Sequence, residues 1–321
     1  MGSYLLRRLL IAVPLLLGIS FLTFMFIQAA PGNYFDTLRM NPEISEETIR
    51  QYEARYRLDQ PPLVQYGYWL RNLARGDLGY SFAFRAPVAS VIGSRLWNTM
   101  LLAIVTMLVT WLLAIPLGIY GAVRHQTVLD RAISFMAFIG MSVPTFFLAL
   151  LALFVASKLP GFPLGGMRSV DFDSLSPLGR MWDVAQHLAL PVTVLTIASL
   201  AGLQRLMRGN MLEVLRAPYI TTARAKGLSE GRVIYLHALR NAINPMITIF
   251  GYELSSLLSG AALTEIICNW PGLGSLMLSA VRQQDLFLVM GDMMMGAVLL
   301  LAGNLVADIL LAWSDPRIRY E

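Results

Sequence analysis

Residues 96–123 read LWNTMLLAIVTMLVTWLLAIPLGIYGAV, an uncharged run bounded by Arg95 and Arg124. A helix needs about 20 apolar residues to cross a bilayer core. This stretch is long enough, and similar runs occur along the chain. Residues 9–35, 132–157 and 184–204 are also free of charge. Two later stretches are apolar but interrupted: 241–264 contains Glu253, and 286–314 contains Asp292 and Asp308. Six runs predict an all-α polytopic membrane protein with six transmembrane helices.

Composition agrees. Of 321 residues, 56% are hydrophobic and only 14% are charged, against roughly 25% charged in soluble domains. The mean hydropathy is +0.59. A chain of this kind is neither disordered nor a large soluble enzyme. The first run follows Arg7 and Arg8 like a signal sequence, but it is much longer than a signal core of about 7–15 residues. It reads as an uncleaved span.

Charge placement sets the orientation. With six spans, one side of the membrane holds Arg7, Arg8, Arg124, Arg131, the basic residues from Arg205 to Arg240, Arg317 and Arg319. These are 13 basic residues against 5 acidic ones. The other side holds 12 basic and 11 acidic residues. Basic loops stay cytoplasmic, so both termini are expected there. The net charge of +5 is thus accounted for by topology, without nucleic acid as a partner.

Chemistry is sparse. The single cysteine, Cys268, allows no intrachain disulfide, and the three histidines are far apart. The two lysines, Lys158 and Lys226, lie outside any phosphate-binding Gly-rich motif, so any ATP hydrolysis belongs to another chain.

Two segments between spans carry structure of their own. In 31–95, Ser45 is a candidate N-cap before Glu46 and Glu47. Glu46–Arg50 and Glu53–Arg57 are spaced as i,i+4 pairs, and Ile49, Tyr52 and Tyr56 share a face. A second helix is expected to begin near Pro61-Pro62. Its aromatics, Tyr66, Tyr68 and Trp69, suit either docking of a partner or packing on the protein's own spans. In 205–244, Pro218 can open a helix and Gly227 can close it in the left-handed conformation. Arg224 and Lys226 lie in the last turn, where they complement the helix dipole. This short basic helix suits a docking peg or an interfacial anchor equally well.

Further signals complete the chain. Thr222-Ala223-Arg224-Ala225-Lys226-Gly227-Leu228 is followed by His237-Ala238-Leu239-Arg240-Asn241-Ala242 and Pro245. Upstream stand Arg7-Arg8, Ala30-Pro31-Gly32, Leu58-Asp59-Gln60-Pro61, Gln65-Tyr66, Gly76-Asp77-Leu78-Gly79 and Ser81-Phe82. Downstream stand Trp270-Pro271-Gly272-Leu273-Gly274, Asn304-Leu305, Asp308 and Asp315-Pro316-Arg317-Ile318-Arg319. In this order the set resembles the inner-membrane permease subunits of ABC importers, in the dipeptide, oligopeptide and nickel branch. The resemblance covers nearly the whole chain. It departs at Asn33-Tyr34, where the family often has Asp-Pro; near Trp97, where it often has Pro; and at Glu253, where it commonly has Gln.

The resemblance implies a type I importer permease fold that performs no chemistry itself. It divides the chain into a first span at 1–30, an extracytoplasmic helical segment at 31–95 and a five-helix core at 96–321 with a cytoplasmic coupling loop at 205–244. The implied partners are a second homologous permease, two ATPase subunits that carry ATP and magnesium, an extracytoplasmic binding protein and the bilayer. Tyr219, Ile220, Thr222, Ala223, Arg224, Lys226 and Gly227 would couple to the ATPase. Peptide is the expected cargo; nickel chelates, glutathione and oligosaccharides are carried by similar permeases.

Other classes stay in view. A self-powered secondary transporter would couple ions through Glu253, Asp292 and Asp308. An intramembrane hydrolase would need a Ser/His, paired-Asp or H-E-x-x-H arrangement, and no H-E-x-x-H occurs. Asn304 and Asp308 are one helical turn apart, so Asp308 is expected to serve structure. Glu253 lies roughly 12 Å from the inner end of its span at 1.5 Å per residue. Facing lipid would cost it about 2.5–3.5 kcal/mol. It is therefore expected to face protein or a water-filled path, with Ser255, Ser256, Ser259 and Gly260 on a small, polar side of the same span.

Overall fold

The computed structural model describes residues 2–39 and 45–314. In chain order the helices begin with α1 (Gly2–Ala29), α2 (Tyr34–Arg39), α3 (Glu46–Arg55) and α4 (Pro62–Leu73). Two short strands, β1 (Tyr80–Ser81) and β2 (Ala86–Pro87), form an antiparallel pair with Tyr80 opposite Pro87. Then come α5 (Val88–Val123), α6 (Val128–Ser142), α7 (Thr145–Ala156), α8 (Pro177–Leu215) and α9 (Pro218–Ala225). The chain continues through α10 (Glu230–Arg232), a π-helical stretch at Val233–Ala238 and α11 (Leu239–Ala242). It ends with α12 (Asn244–Gly260), α13 (Ala262–Ile267), α14 (Leu273–Arg282) and α15 (Leu286–Ser314).

Among the described residues, α1, α5, α8 and α15 are long and apolar enough to cross a membrane. The uncharged run 132–157, expected as one span, is broken. It forms α6 and α7, which meet at 106° and make a fifth span if the pair is counted as one. The cause is Pro144. Proline has no N–H to donate and pushes the preceding residue out of helical space. Val143 is accordingly extended, at φ −94° and ψ 125°. The expected span at 241–264 appears as α12, only 17 residues long, or about 25 Å at 1.5 Å per residue. Ala261 separates it from α13.

The chain divides into two compact units. The first comprises residues 1–99 and 271–301. Its core gathers Phe24 of α1, Ile49 of α3, Trp69 of α4 and Leu288 and Met290 of α15. Phe82, in the turn between β1 and β2, is surrounded by aromatics. Phe35 lies 4.9 Å from it, Tyr56 5.0 Å and Tyr34 5.7 Å, ring centre to ring centre. Asp285, fully buried just before α15, fastens this turn. It accepts the Ser81 hydroxyl at 2.7 Å, the Ala83 amide at 3.0 Å and the Leu288 amide at 3.3 Å. Burial pushes its carboxyl above the usual range, against the pull of those donors.

Local rules hold in this unit. Ser45 caps α3 by accepting the Thr48 amide, and Glu46 pairs with Arg50 at 3.3 Å. Glu53 does not pair with Arg57. Arg57 has left the helix in the left-handed conformation and stacks its guanidinium over Tyr68 at 4.6 Å. Arg39 takes its place and reaches Glu53 at 2.6 Å.

The second unit comprises residues 100–270 and 302–321. Its long element, α8, spans 39 residues despite Pro191. One core cluster joins Ala114, Ile119 and Ala122 of α5, Met207 and Met211 of α8, Ile220 of α9, and Ala238, Ala242 and Met246 beyond it. The helices approach closely where glycine allows it. A Cβ on Gly118 would lie 2.6 Å from the Cβ of Met207, and one on Gly140 would lie 3.1 Å from the Ile197 carbonyl oxygen.

Candidate functional site

The segment after α8 turns at Arg216 and enters α9 with Pro218 at its first position. Proline there costs no hydrogen bond, because the first amides of a helix have no internal acceptor. Thr222 returns its hydroxyl to the Pro218 carbonyl at 3.0 Å. At the other end Gly227 adopts φ +78°, with open space around a hypothetical Cβ. The glycine is thus required by backbone conformation rather than by crowding.

The two faces of α9 differ. Ile220 and Ala223 are buried and packed against the second unit's core, including Met207 and Val233. They anchor the helix to its own chain, so Ile220 offers no side chain to a partner. Tyr219, Thr222, Arg224, Lys226 and Gly227 are exposed. Arg224 is already engaged: its Nε donates to Glu230 at 2.8 Å, across the turn at Gly227. The Tyr219 hydroxyl accepts from Asn241 at 3.1 Å. The outward face is therefore held in place by ties from the 230–242 helical stretch, with Lys226 at its edge.

Glu253 is half-buried on α12 and accepts the indole N–H of Trp111 at 2.9 Å. Trp111 in turn meets Phe250 edge to face, with ring centres 5.3 Å apart. Ser256, one turn on from Glu253, is exposed. The side chains of Ser255 and Ser259 lie outside the described ones. Trp111 was not evident from sequence; its span position gives no sign of a polar partner 142 residues away.

The aromatic set of α4 is not an exposed set. Trp69 is buried in the first unit's core. Tyr66 lies against α1, its hydroxyl 2.9 Å from that of Ser20 and its ring 5.3 Å from Phe21. Tyr68 is half-exposed beneath Arg57. The packing alternative thus describes Tyr66 and Trp69. Asp308 is buried on α15, while the motif from Asp315 to Arg319 lies outside the described residues.

Known proteins match the chain over its full length. Residues 114–320 match the family model described as binding-protein-dependent transport system inner membrane component. Residues 1–103 match the N-terminal model of the same kind of membrane component. The chain is 42% identical over 322 residues to the oligopeptide transport system permease protein AppB of Bacillus subtilis, covering all of both chains. It is 35% identical over 338 residues to the dipeptide transport system permease protein DppB of Escherichia coli K12, again over both full lengths. In fold it resembles a chain of the inward-facing MetNI methionine ABC transporter, with a TM-score of 0.52 and 16% identity, over 69% of this chain and 97% of that one. The chain belongs to the binding-protein-dependent transport system inner membrane component family, the multi-pass permeases of ABC importers.

Proposed function

We propose that this chain is the permease subunit of an ATP-driven importer of short peptides. It would act with a second homologous permease, two ATPase subunits and an extracytoplasmic binding protein. Full-length identity to permeases named for oligopeptide and dipeptide transport supports the cargo. The observation that carries the mechanism is the two-faced helix α9. Its inner face is keyed into the protein by Ile220 and Ala223, and its outer face, tied at Arg224 and Tyr219 to the 230–242 stretch, stays exposed.

On this reading the chain has six spans, with α12 as the fifth, and both termini in the cytoplasm. Residues 1–30 form the first span, 31–95 the extracytoplasmic helical segment and 96–321 the core with its cytoplasmic loop at 205–244. ATP and magnesium act on the ATPase subunits, whose closure displaces α9 and the elements packed behind it. Rigid-body shifts of this kind switch access from one side to the other. Glu253 and Ser256 would line the path. A carboxylate half-buried beside two aromatics suits brief contact with a peptide's ammonium group, and weak contact lets cargo leave.

The test is reconstitution of the whole complex in liposomes with its binding protein, followed by uptake of radiolabelled di- and tripeptides. ATP-dependent accumulation of peptide is the expected result. Uptake driven by an ion gradient without ATP would overturn the importer reading. A binding protein that carries a nickel chelate, glutathione or oligosaccharide, identified by mass spectrometry, would overturn the cargo.

A further inference from the structure

Asp130 is almost fully buried, although it stands in the first turn of α6 beside a basic loop. Its carboxylate is gripped from α8. Arg208 donates Nε to Oδ1 at 2.7 Å and Nη2 to Oδ2 at 2.8 Å, a two-point fork. The Gln126 amide adds a third donor at 3.0 Å. The same Nη2 lies 3.1 Å from Nδ1 of His125, within the α5–α6 turn. A planar fork of this kind fixes direction as well as distance.

What surrounds the pair gives it a purpose. Gly121 of α5 lies directly against it; a Cβ there would be 3.0 Å from Asp130 Oδ1 and 3.1 Å from Arg208 Cδ. One turn earlier, Gly118 lies on Met207 and the Gln204 carbonyl. Side-chain ridges normally set the register between packed helices. Here α5 presents glycines to α8, so that Met207 seats directly on Gly118 and the two helices come close. The fork adds a directional tie from α8 to the start of α6, one residue from Met207, which belongs to the same core cluster as Ile220. Arg208 is also only seven residues, about 10 Å, from the last residue of α8, where the chain turns into α9.

We infer that Asp130 and Arg208 are positioning residues that lock the α5–α6 turn to α8, so that a displacement of α9 moves α6 as one body with it. This inference rests on the importer reading and adds the route by which motion leaves α9.

The test uses the complete reconstituted complex with spin labels at Val128 and Tyr235, both strongly exposed and both outside the pair. In the unaltered pair, their distance should change by no more than about 1–2 Å between nucleotide-free and ATP-trapped states, the scale of small helix shifts. Asp130→Asn keeps the shape but loses the charge, and Arg208→Lys keeps the charge but loses the fork. Each should broaden that distance distribution and lower tripeptide uptake per ATP hydrolysed roughly tenfold, within the ordinary range of coupling energies. Hydrolysis itself should persist. Unchanged distances and unchanged uptake per ATP in both variants would overturn the inference. So would hydrolysis and uptake falling together in proportion to folded complex, with the distance unaltered. Failure of the unsubstituted complex to import peptide with ATP would instead overturn the importer reading.

Discussion

Trp111 of α5 donates its indole N–H to Glu253 of α12 at 2.9 Å, which gives the carboxylate at 253 a defined orientation beside the Trp111 and Phe250 rings. With Trp111 its donor among the described residues, much of the carboxylate's acceptor capacity stays available. If Glu253 meets the cargo ammonium, Glu253→Gln should reduce uptake of free-amine peptides about fivefold, the worth of a contact of about 1 kcal/mol. N-acetylated peptides should be unaffected. Trp111→Phe, which frees the carboxylate but keeps the ring, should alter the ratio of the two uptakes without abolishing either. Equal effects on both peptide classes would remove Glu253 from the path.

Orientation can be read from two valines. Val128, at the start of α6, and Val170, in the loop before α8, are both strongly exposed. The natural chain supplies a quiet background. Its lone Cys268 is buried, and burial pushes the thiol up to about 12, so little thiolate forms. In intact inside-out vesicles, a membrane-impermeant maleimide should label Val128→Cys and spare Val170→Cys. Right-side-out vesicles should give the reverse. Labelling of both residues from one side would refute the six-span orientation.

The turn at Phe82 depends on Asp285. Asp285→Ala leaves the Ser81 hydroxyl and two backbone amides without their acceptor, and each lost partner of a buried group costs about 1–3 kcal/mol. Thermal unfolding in detergent should shift down by several degrees. Ser81→Ala, which removes one donor, should cost less. The pH dependence has a definite sign. A buried carboxyl whose native value is raised holds its proton longer than it does unfolded. Its contribution is therefore greatest at acid pH and falls as pH rises through the raised value. Asp285→Ala should flatten that part of the profile, and an unchanged profile would show that the group does not titrate there.

Much of this was legible in the sequence because it follows from local rules. Uncharged length marks spans, Ser45 and Pro62 mark helix starts, and Gly227 marks a stop. These signals depend on a few neighbouring residues. The failures have a common physical origin. Pro144 lies in an uncharged run, and counting charge cannot see a bend. Arg57 was matched to Glu53 by spacing, but spacing presumes that the helix continues. Tyr66 and Trp69 left docking and packing both open, and it takes α1 laid beside Tyr66 and a core around Trp69 to decide. Asp130 and Arg208, 78 residues apart, entered only as charges on one side of the membrane. Their pairing depends on how α6 folds against α8, which no local pattern encodes.

The stop at Gly227 makes a graded test. Its φ of +78° is strained for any residue with a Cβ, by roughly 1–2 kcal/mol, and nothing lies within 4 Å of where that Cβ would sit. Asparagine tolerates this conformation better than a β-branched residue. Gly227→Asn should therefore retain most transport, while Gly227→Val should leave membrane insertion intact but separate ATP hydrolysis from uptake. Full transport by the valine variant would count against a role for this turn in coupling.

Neighbouring residues of α9 separate anchoring from docking. Ile220 is fully buried against Met207 and its neighbours, so Ile220→Ala should cost about 2–5 kcal/mol, as cavity-forming substitutions do. The yield of folded chain and the unfolding temperature should both fall, and whatever folds should hydrolyse and transport less in step. Tyr219 points outward and is held by Asn241 at 3.1 Å. Removing its ring leaves no cavity, so Tyr219→Ala should change the unfolding temperature little. The loss should instead appear as weaker retention of the ATPase subunits during purification and lower uptake at normal chain abundance. Tyr219→Phe keeps the ring and loses only the exposed hydrogen bond, so it should remain close to the unaltered chain. If Tyr219→Ala destabilises the isolated chain as much as Ile220→Ala, then the outer face of α9 serves the fold as much as the inner one. The docking role assigned to the exposed face would then fall.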